Sequence, residues 1–171
     1  MTKELILNAD DFGLCPGVNQ GILEAIDKGV VTSTTLMINM PYADEAIKLA
    51  QKNDLNCVGL HLSLTAGAPV SNPDDIPSLV DEEGVFSREL FNSEEEINLD
   101  EVKLELDNQI QKFINDYKQP THLDSHHHVH LQPQIVETIM ELADKYDLPI
   151  RMGRKNSSIK LDTELKTTDF F

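Results

Sequence analysis

Hydrophobic positions along this chain change period several times, and each change marks an element. Residues 4–10 form a short apolar, β-prone run that closes on Asp10-Asp11-Phe12-Gly13. Over residues 16–28 the apolar positions Val18, Ile22, Ala25 and Ile26 recur at helical spacing; Pro16 suits the first turn and Gly29 the C-terminal stop. Residues 34–40 read as a buried strand ended by Pro41, and residues 43–52 as a helix with Ala43, Ala46, Ile47 and Ala50 inward. A third strand over residues 56–62 carries Val58-Gly59-Leu60-His61-Leu62. A long helix over 100–118 has Val102, Leu106, Ile110, Phe113, Ile114 and Tyr117 on its apolar side. After a histidine-rich strand over 121–130, a helix over 132–146 turns Ile135, Ile139, Leu142, Ala143 and Tyr146 inward, and residues 148–152 make a fifth strand.

The pattern breaks over residues 65–96, which are rich in Pro, Gly and Asp and hold no sustained period. A loop of that length inside a compact domain is usually functional or disordered, and here it is expected to lie over the site. Beyond Gly153 the chain is polar and weakly patterned. The order β-α-β-α-β-loop-α-β-α-β predicts one α/β domain over residues 1–171, with a parallel sheet and right-handed crossovers. Such sheets hold ligands at the carboxyl ends of their strands, whether the sheet is open or closed into a barrel.

Composition narrows the partners. The 171 residues suffice for a real core, and the 40% hydrophobic and 26% charged content is that of a soluble globular protein. A formal net charge of −16 repels phosphate backbones and anionic lipid surfaces, which argues against nucleic acid and membrane partners. Runs such as Asp81-Glu82-Glu83 and Glu94-Glu95-Glu96 read as solvated faces. No run approaches a membrane span, the N-terminus lacks a signal-peptide pattern, and Cys15 and Cys57 form no disulfide framework. A cytoplasmic location is the expectation.

The chemistry concentrates in Thr121-His122-Leu123-Asp124-Ser125-His126-His127-His128-Val129-His130, where five of the six histidines fall within nine positions. Strand alternation would put His122, Asp124, His126, His128 and His130 on one face, and neutral imidazoles beside a carboxylate make a divalent-metal site. A solvated polar loop is the alternative, opposed by Leu123, Val129 and Leu131. The other strand ends add Asp10 and Asp11, His61, and Arg151. Taken singly, Asp10-Asp11 is also compatible with turn or N-cap chemistry, His61 with a satisfied core histidine, and Arg151 with a surface ion pair. Met37 and Met40 read as core fillers. Two histidines and one carboxylate leave metal positions open for water and substrate. Within that chemistry His128 is the candidate general acid, and Arg151 and Asp124 are candidate substrate contacts.

Four ordered motifs carry a resemblance: Asn8-Ala9-Asp10-Asp11-Phe12-Gly13, Thr32-Ser33-Thr34-Thr35, Gly59-Leu60-His61-Leu62 and the histidine segment. Together they resemble the YdjC-like carbohydrate deacetylases, a family that includes chitooligosaccharide deacetylases. The resemblance implies a parallel β/α barrel-like fold, a distorted TIM-type barrel, with one divalent metal at the strand ends. It implies Asp11, His61 and His126 as metal ligands, Asp10 as catalytic base, and an acetylated oligosaccharide or amino sugar as substrate. Magnesium is the metal the family implies; the donor set by itself suits zinc, cobalt or manganese. The family's members run further than residue 171, so the resemblance also implies a barrel incomplete at its C-terminal side. An open edge after the fifth strand leads to the expectation of a homodimer; the alternative is that residues 153–171 fold back across the edge, for which their composition offers few apolar groups. Two other function classes stay open: a metal-dependent hydrolase of another bond such as a phosphoester, and a non-catalytic sugar- or metal-binding protein.

Overall fold

The computed structural model describes residues 5–91, 97–152 and 167–169. Six strands, β1 (Asn8–Phe12), β2 (Ser33–Leu36), β3 (Val58–Leu62), β4 (Leu123–Ser125), β5 (Ile150–Met152) and β6 (Thr167–Asp169), form one sheet in the order β1-β2-β3-β4-β5-β6. Every adjacent pair is parallel. Helices α1 (Pro16–Asp27), α2 (Ala43–Lys52), α3 (Arg88–Phe91), α4 (Leu99–Asp116) and α5 (Val136–Lys145) occupy the crossovers. A doubly wound sheet reverses its strand order at a switch point, whereas a barrel lays each new strand beside the last. The strictly sequential order is therefore the barrel-like one, and crossovers of a single hand put the helices on one side of it.

Register and alternation divide the strands into two faces. Ala9, Thr34, Leu36, Val58, Leu60, Leu123 and Ile150 share one face, and its apolar members join Ile22, Ile47, Leu106, Phe113 and Ile139 of the helices in a continuous core. One residue along, Asn8, Asp10, Thr35, Gly59, His61, Asp124 and Arg151 share the other face. Helix faces follow the predicted stripes: Ala43, Ala46, Ile47 and Ala50 of α2, and Val102, Leu106, Ile110 and Phe113 of α4, are all buried.

Several expectations shift where pairing needs a neighbour. The first strand begins at Asn8, where β2 begins opposite it at Ser33, and Leu5, Ile6 and Leu7 are exposed. The second ends at Leu36, after which the chain turns through Met40, whose N–H donates to the Met37 carbonyl at 3.3 Å. The expectation that residues 153–171 leave the fifth strand's edge open is corrected by β6, which pairs Thr167, Thr168 and Asp169 with Ile150, Arg151 and Met152. Ladder bonds are made by the main chain, so a polar segment can supply them.

The long segment after β3 is anchored point by point, which explains its lack of period. It contains a 3-10 turn at Pro73–Asp75, an antiparallel bridge between Val80 and Phe86, and α3; Ile76, Leu79 and Phe86 are buried in the core. Residues 92–96 of the expected loop lie outside the described residues. Two fully buried polar side chains of α4 hold the start of the segment by its backbone. Glu105 accepts from the Val70 and Ser71 N–H groups at 2.9 and 2.8 Å, and Gln109 accepts from Ser63 N–H at 3.0 Å while donating to the Ser63 carbonyl at 2.7 Å. Among the described residues no helix is long and apolar enough to cross a membrane.

Candidate metal centre

A β-bulge in β1 aims the first functional side chain. Ala9 pairs with Thr34 and Phe12 with Leu36, so Asp10 and Asp11 together stand opposite Thr35 alone. Asp11 takes the left-handed conformation at φ 67°, which Asp tolerates better than most residues. The Leu14 N–H then donates to the Asp11 carbonyl at 3.1 Å, and Gly13 follows at φ 98° where a Cβ would lie 3.1 Å from the Met37 carbonyl oxygen. Plain alternation would send Asp10 and Asp11 to opposite faces. The bulge instead brings Asp11 Oδ1 to 3.3 Å from His61 Nε2 and 2.9 Å from His126 Nδ1.

His126 arrives by a turn, which corrects the expectation of a strand running through His130. Strand β3 ends at Leu62, opposite Ser125, so no ladder continues past that point. The chain bends into a 3-10 turn, His126–Leu131, with His127 and His128 left-handed at φ 55° and 56°. Ser125 Oγ accepts the His130 N–H at 3.0 Å and also hydrogen-bonds His130 Nδ1, closing the turn. The five-residue face predicted from alternation is thereby dispersed. Asp124 stays in the strand and is buried; His126 meets Asp11; His130 swings into the interior; His128 is exposed, its ring 6.2 Å from that of His130. His122 is buried against Gly59, where any Cβ would come within 2.5 Å of its ring.

The ligating atoms of Asp11, His61 and His126 lie within 4.8 Å of one another. The hydrogen bond from His126, then that from His61, holds the Asp11 carboxyl well below the usual carboxylate range. His61 Nδ1 lies 3.0 Å from Thr35 Oγ1. With its proton on Nδ1, donated to Thr35, His61 would free the Nε2 lone pair for a metal in place of the hydrogen bond to Asp11, the arrangement a metal-binding imidazole needs. Two imidazoles and one ionised carboxylate, converging at strand ends and leaving further positions open, make a divalent-metal-binding site.

A second group shares His61. Atoms of Asp10, His61 and Asp124 also lie within 4.8 Å of one another. Asn8 Nδ2 donates to Asp10 Oδ1 at 2.6 Å. Arg151 Nη1 lies 2.9 Å from Asp124 Oδ2 and 3.7 Å from Asp10 Oδ2. The Ser125 N–H donates to Asp124 Oδ1 at 2.7 Å. Burial would raise the Asp124 pKa, but His61 and Arg151 together leave it lowered. Burial lowers His130 to about 4.

Several participants escaped the sequence reading. Asn8 was readable, since alternation puts it beside Asp10. Thr35 required the register of two strands. His127, whose ring lies 3.9 Å from that of His126 and whose Nδ1 is 3.0 Å from Thr65 Oγ1, required the left-handed turn.

Comparison with known proteins bears on the sequence and the fold. A family model described as YdjC-like protein matches residues 4–169. A carbohydrate deacetylase from Thermoanaerobacter pseudethanolicus is 39% identical over 169 residues, covering 99% of this chain and 68% of the relative. A chitooligosaccharide deacetylase from Serratia marcescens is 42% identical over 176 residues, covering 99% of this chain and 68% of the relative. A crystal structure from Enterococcus faecalis V583, described as a cellobiose-phosphate cleavage protein, superposes with a TM-score of 0.84 at 40% identity, covering 98% of this chain and 67% of that one. The chain thus spans about two thirds of the length of these proteins.

Proposed function

The chain belongs to the YdjC-like protein family, and from that membership we propose that it is a metal-dependent hydrolase removing acetyl groups from N-acetylated sugars of the chitooligosaccharide type. The observation that carries the proposal is the convergence of Asp11, His61 and His126 with Asp10 beside them. In this reading those three residues hold one divalent ion. Such an ion lowers the pKa of a water and polarises an acetyl carbonyl. Magnesium follows from the family resemblance, while the two imidazoles suit zinc, cobalt or manganese.

The chain's own residues supply the rest. Asp10, held by Asn8 and Arg151, takes the proton of the attacking water. His128, exposed at the left-handed turn, returns a proton to the leaving amine, and its exposure keeps it in exchange with solvent. Arg151, with 30% of its side chain exposed, meets a sugar hydroxyl, and the buried Asp124 behind it orients the guanidinium. The segment after β3 borders the sugar through the Thr65–His127 contact.

The decisive experiment incubates purified protein with acetylated chitooligosaccharide and with a phosphoester panel, each with and without metal. Metal-dependent acetate release is expected, and His61→Ala should lose both the metal, by elemental analysis, and the activity. Full metal stoichiometry in His61→Ala would overturn the ligand assignment. Release of phosphate in place of acetate would favour the second reading, a phosphoester hydrolase. Metal binding without turnover would favour a binding role. In the same reading the charge of −16 argues against nucleic-acid partners, and Cys15 and Cys57, both free, fit a reducing cytoplasmic location. A homodimer through the sheet edge beyond β5, which β6 now forms, is tested by sedimentation at micromolar concentration.

A further inference from the structure

Two three-donor groups meet at His61, each with its ligand atoms within 4.8 Å of one another, yet their chemistry differs. In the Asp11–His61–His126 group, Asp11 Oδ1 lies 3.3 Å from His61 Nε2 and 2.9 Å from His126 Nδ1, so the three donors converge on one another. In the Asp10–His61–Asp124 group every member is already engaged from outside: Asp10 by Asn8, His61 Nδ1 by Thr35, Asp124 by Arg151 and the Ser125 amide. A neutral imidazole has one lone pair and one proton on its two nitrogens. If Nε2 serves the first group, Nδ1 carries the proton, and the second group is reduced to two carboxylates. Asp124 is 1% exposed, and a buried carboxylate must pair with a cation or take up a proton.

We infer that Arg151 is the built-in cation of this second group: its guanidinium occupies the charge position between Asp10 and Asp124 and so limits the chain to one divalent ion. The inference rests on the reading of Asp11, His61 and His126 as ligands. A guanidinium cannot deprotonate in a protein, so the position stays filled at every working pH. Removing the charge while keeping the bulk leaves two neighbouring carboxylates, one of them buried, and a hard divalent cation with retained waters is the natural replacement.

Manganese alone serves as the probe, with stoichiometry from equilibrium dialysis and the electron paramagnetic resonance spectrum as a second readout. The wild-type chain is expected to take one ion, with the signal of isolated manganese. Arg151→Met should take two, with the broadened signal of neighbouring ions. Arg151→Lys, which keeps the charge, should stay at one, and so should Arg151→Met combined with Asp124→Asn. Should Arg151→Met not fold by circular dichroism, Arg151→Gln carries the same expectation. One ion in the folded neutral variants, or two in the wild type or in Arg151→Lys, overturns the inference while leaving the ligand reading intact. No ion in the wild type overturns both.

Discussion

On the helix side of the sheet stand Leu36, Val58, Leu60 and Leu123; one residue along in the same strands stand Thr35, Gly59, His61 and Asp124. Burial does not separate the two sets, since Leu60 is 0%, Asp124 1% and His61 2% exposed. What separates them is how each is satisfied. The apolar set is held by close packing, which is non-directional and tolerates swaps that conserve volume. Each member of the polar set that carries a functional group is held by a particular bond: His61 to Thr35, Asp124 to Arg151. Removing one partner there strands the other. One face of the sheet thus carries stability and the other carries chemistry, at nearly equal depth.

That division can be broken by substitutions on either side. The largest effect is expected for Asp10→Asn, which should lower kcat by roughly two to four orders of magnitude while metal content and unfolding midpoint hold. Loss of the metal in that variant would make Asp10 a ligand. On the opposite face, Leu60→Ala should destabilise by roughly 2–5 kcal/mol in denaturant unfolding, with unchanged metal stoichiometry in the folded fraction.

A comparable effect should come from acid. His130 folds with its pKa lowered to about 4 from 6.5, so between those values the unfolded chain binds a proton that the native chain refuses. Stability is therefore full above pH 6.5 and falls as pH drops toward 4, by roughly 3 kcal/mol for this group. Burial lowers His122 and His127 as well, adding in the same direction. Unfolding of metal-free protein across this range is the measurement; a flat profile would show that the histidines protonate without unfolding. The smallest effect is expected for Thr35→Val, which removes the partner of His61 Nδ1 and should weaken metal binding roughly 10- to 100-fold. If Thr35→Val instead lowers the unfolding midpoint and leaves the affinity of the folded protein unchanged, the division between the faces fails.

Legibility followed the same line. Periodicity located α2, α4 and the buried strands because those elements are decided by their own residues. Arg151 and Asp124 were marked as polar strand residues, but their pairing depends on the register of β4 against β5, which no single segment encodes. Asp11 was marked too, while the bulge that aims it comes from a mismatch with Thr34–Leu36 across the ladder. The histidine strand failed for a related reason: its end is set by the length of β3, not by its own alternation. Glu105 and Gln109, at i and i+4 beside the apolar stripe of α4, gave no periodic signal because their partners are loop amides and a loop carbonyl.

Those two side chains have an evolutionary consequence. They grip the segment after β3 through Ser63, Val70 and Ser71 main-chain groups, and Asn39 adds bonds to the Ala66 and Ala68 carbonyls at 2.9 and 3.1 Å. None of these bonds reads the identity of the residue held. The path of the segment beside His127 is therefore uncoupled from its side chains at Ala66 and Ala68, while the Pro69 ring fixes its own φ. Mutation can re-letter that stretch, and with it the range of sugars accepted, without redrawing the route. A library randomised at Ala66 and Ala68, with Pro69, Glu105, Gln109 and Asn39 kept, is where a laboratory would look for new substrate preferences on an unchanged scaffold.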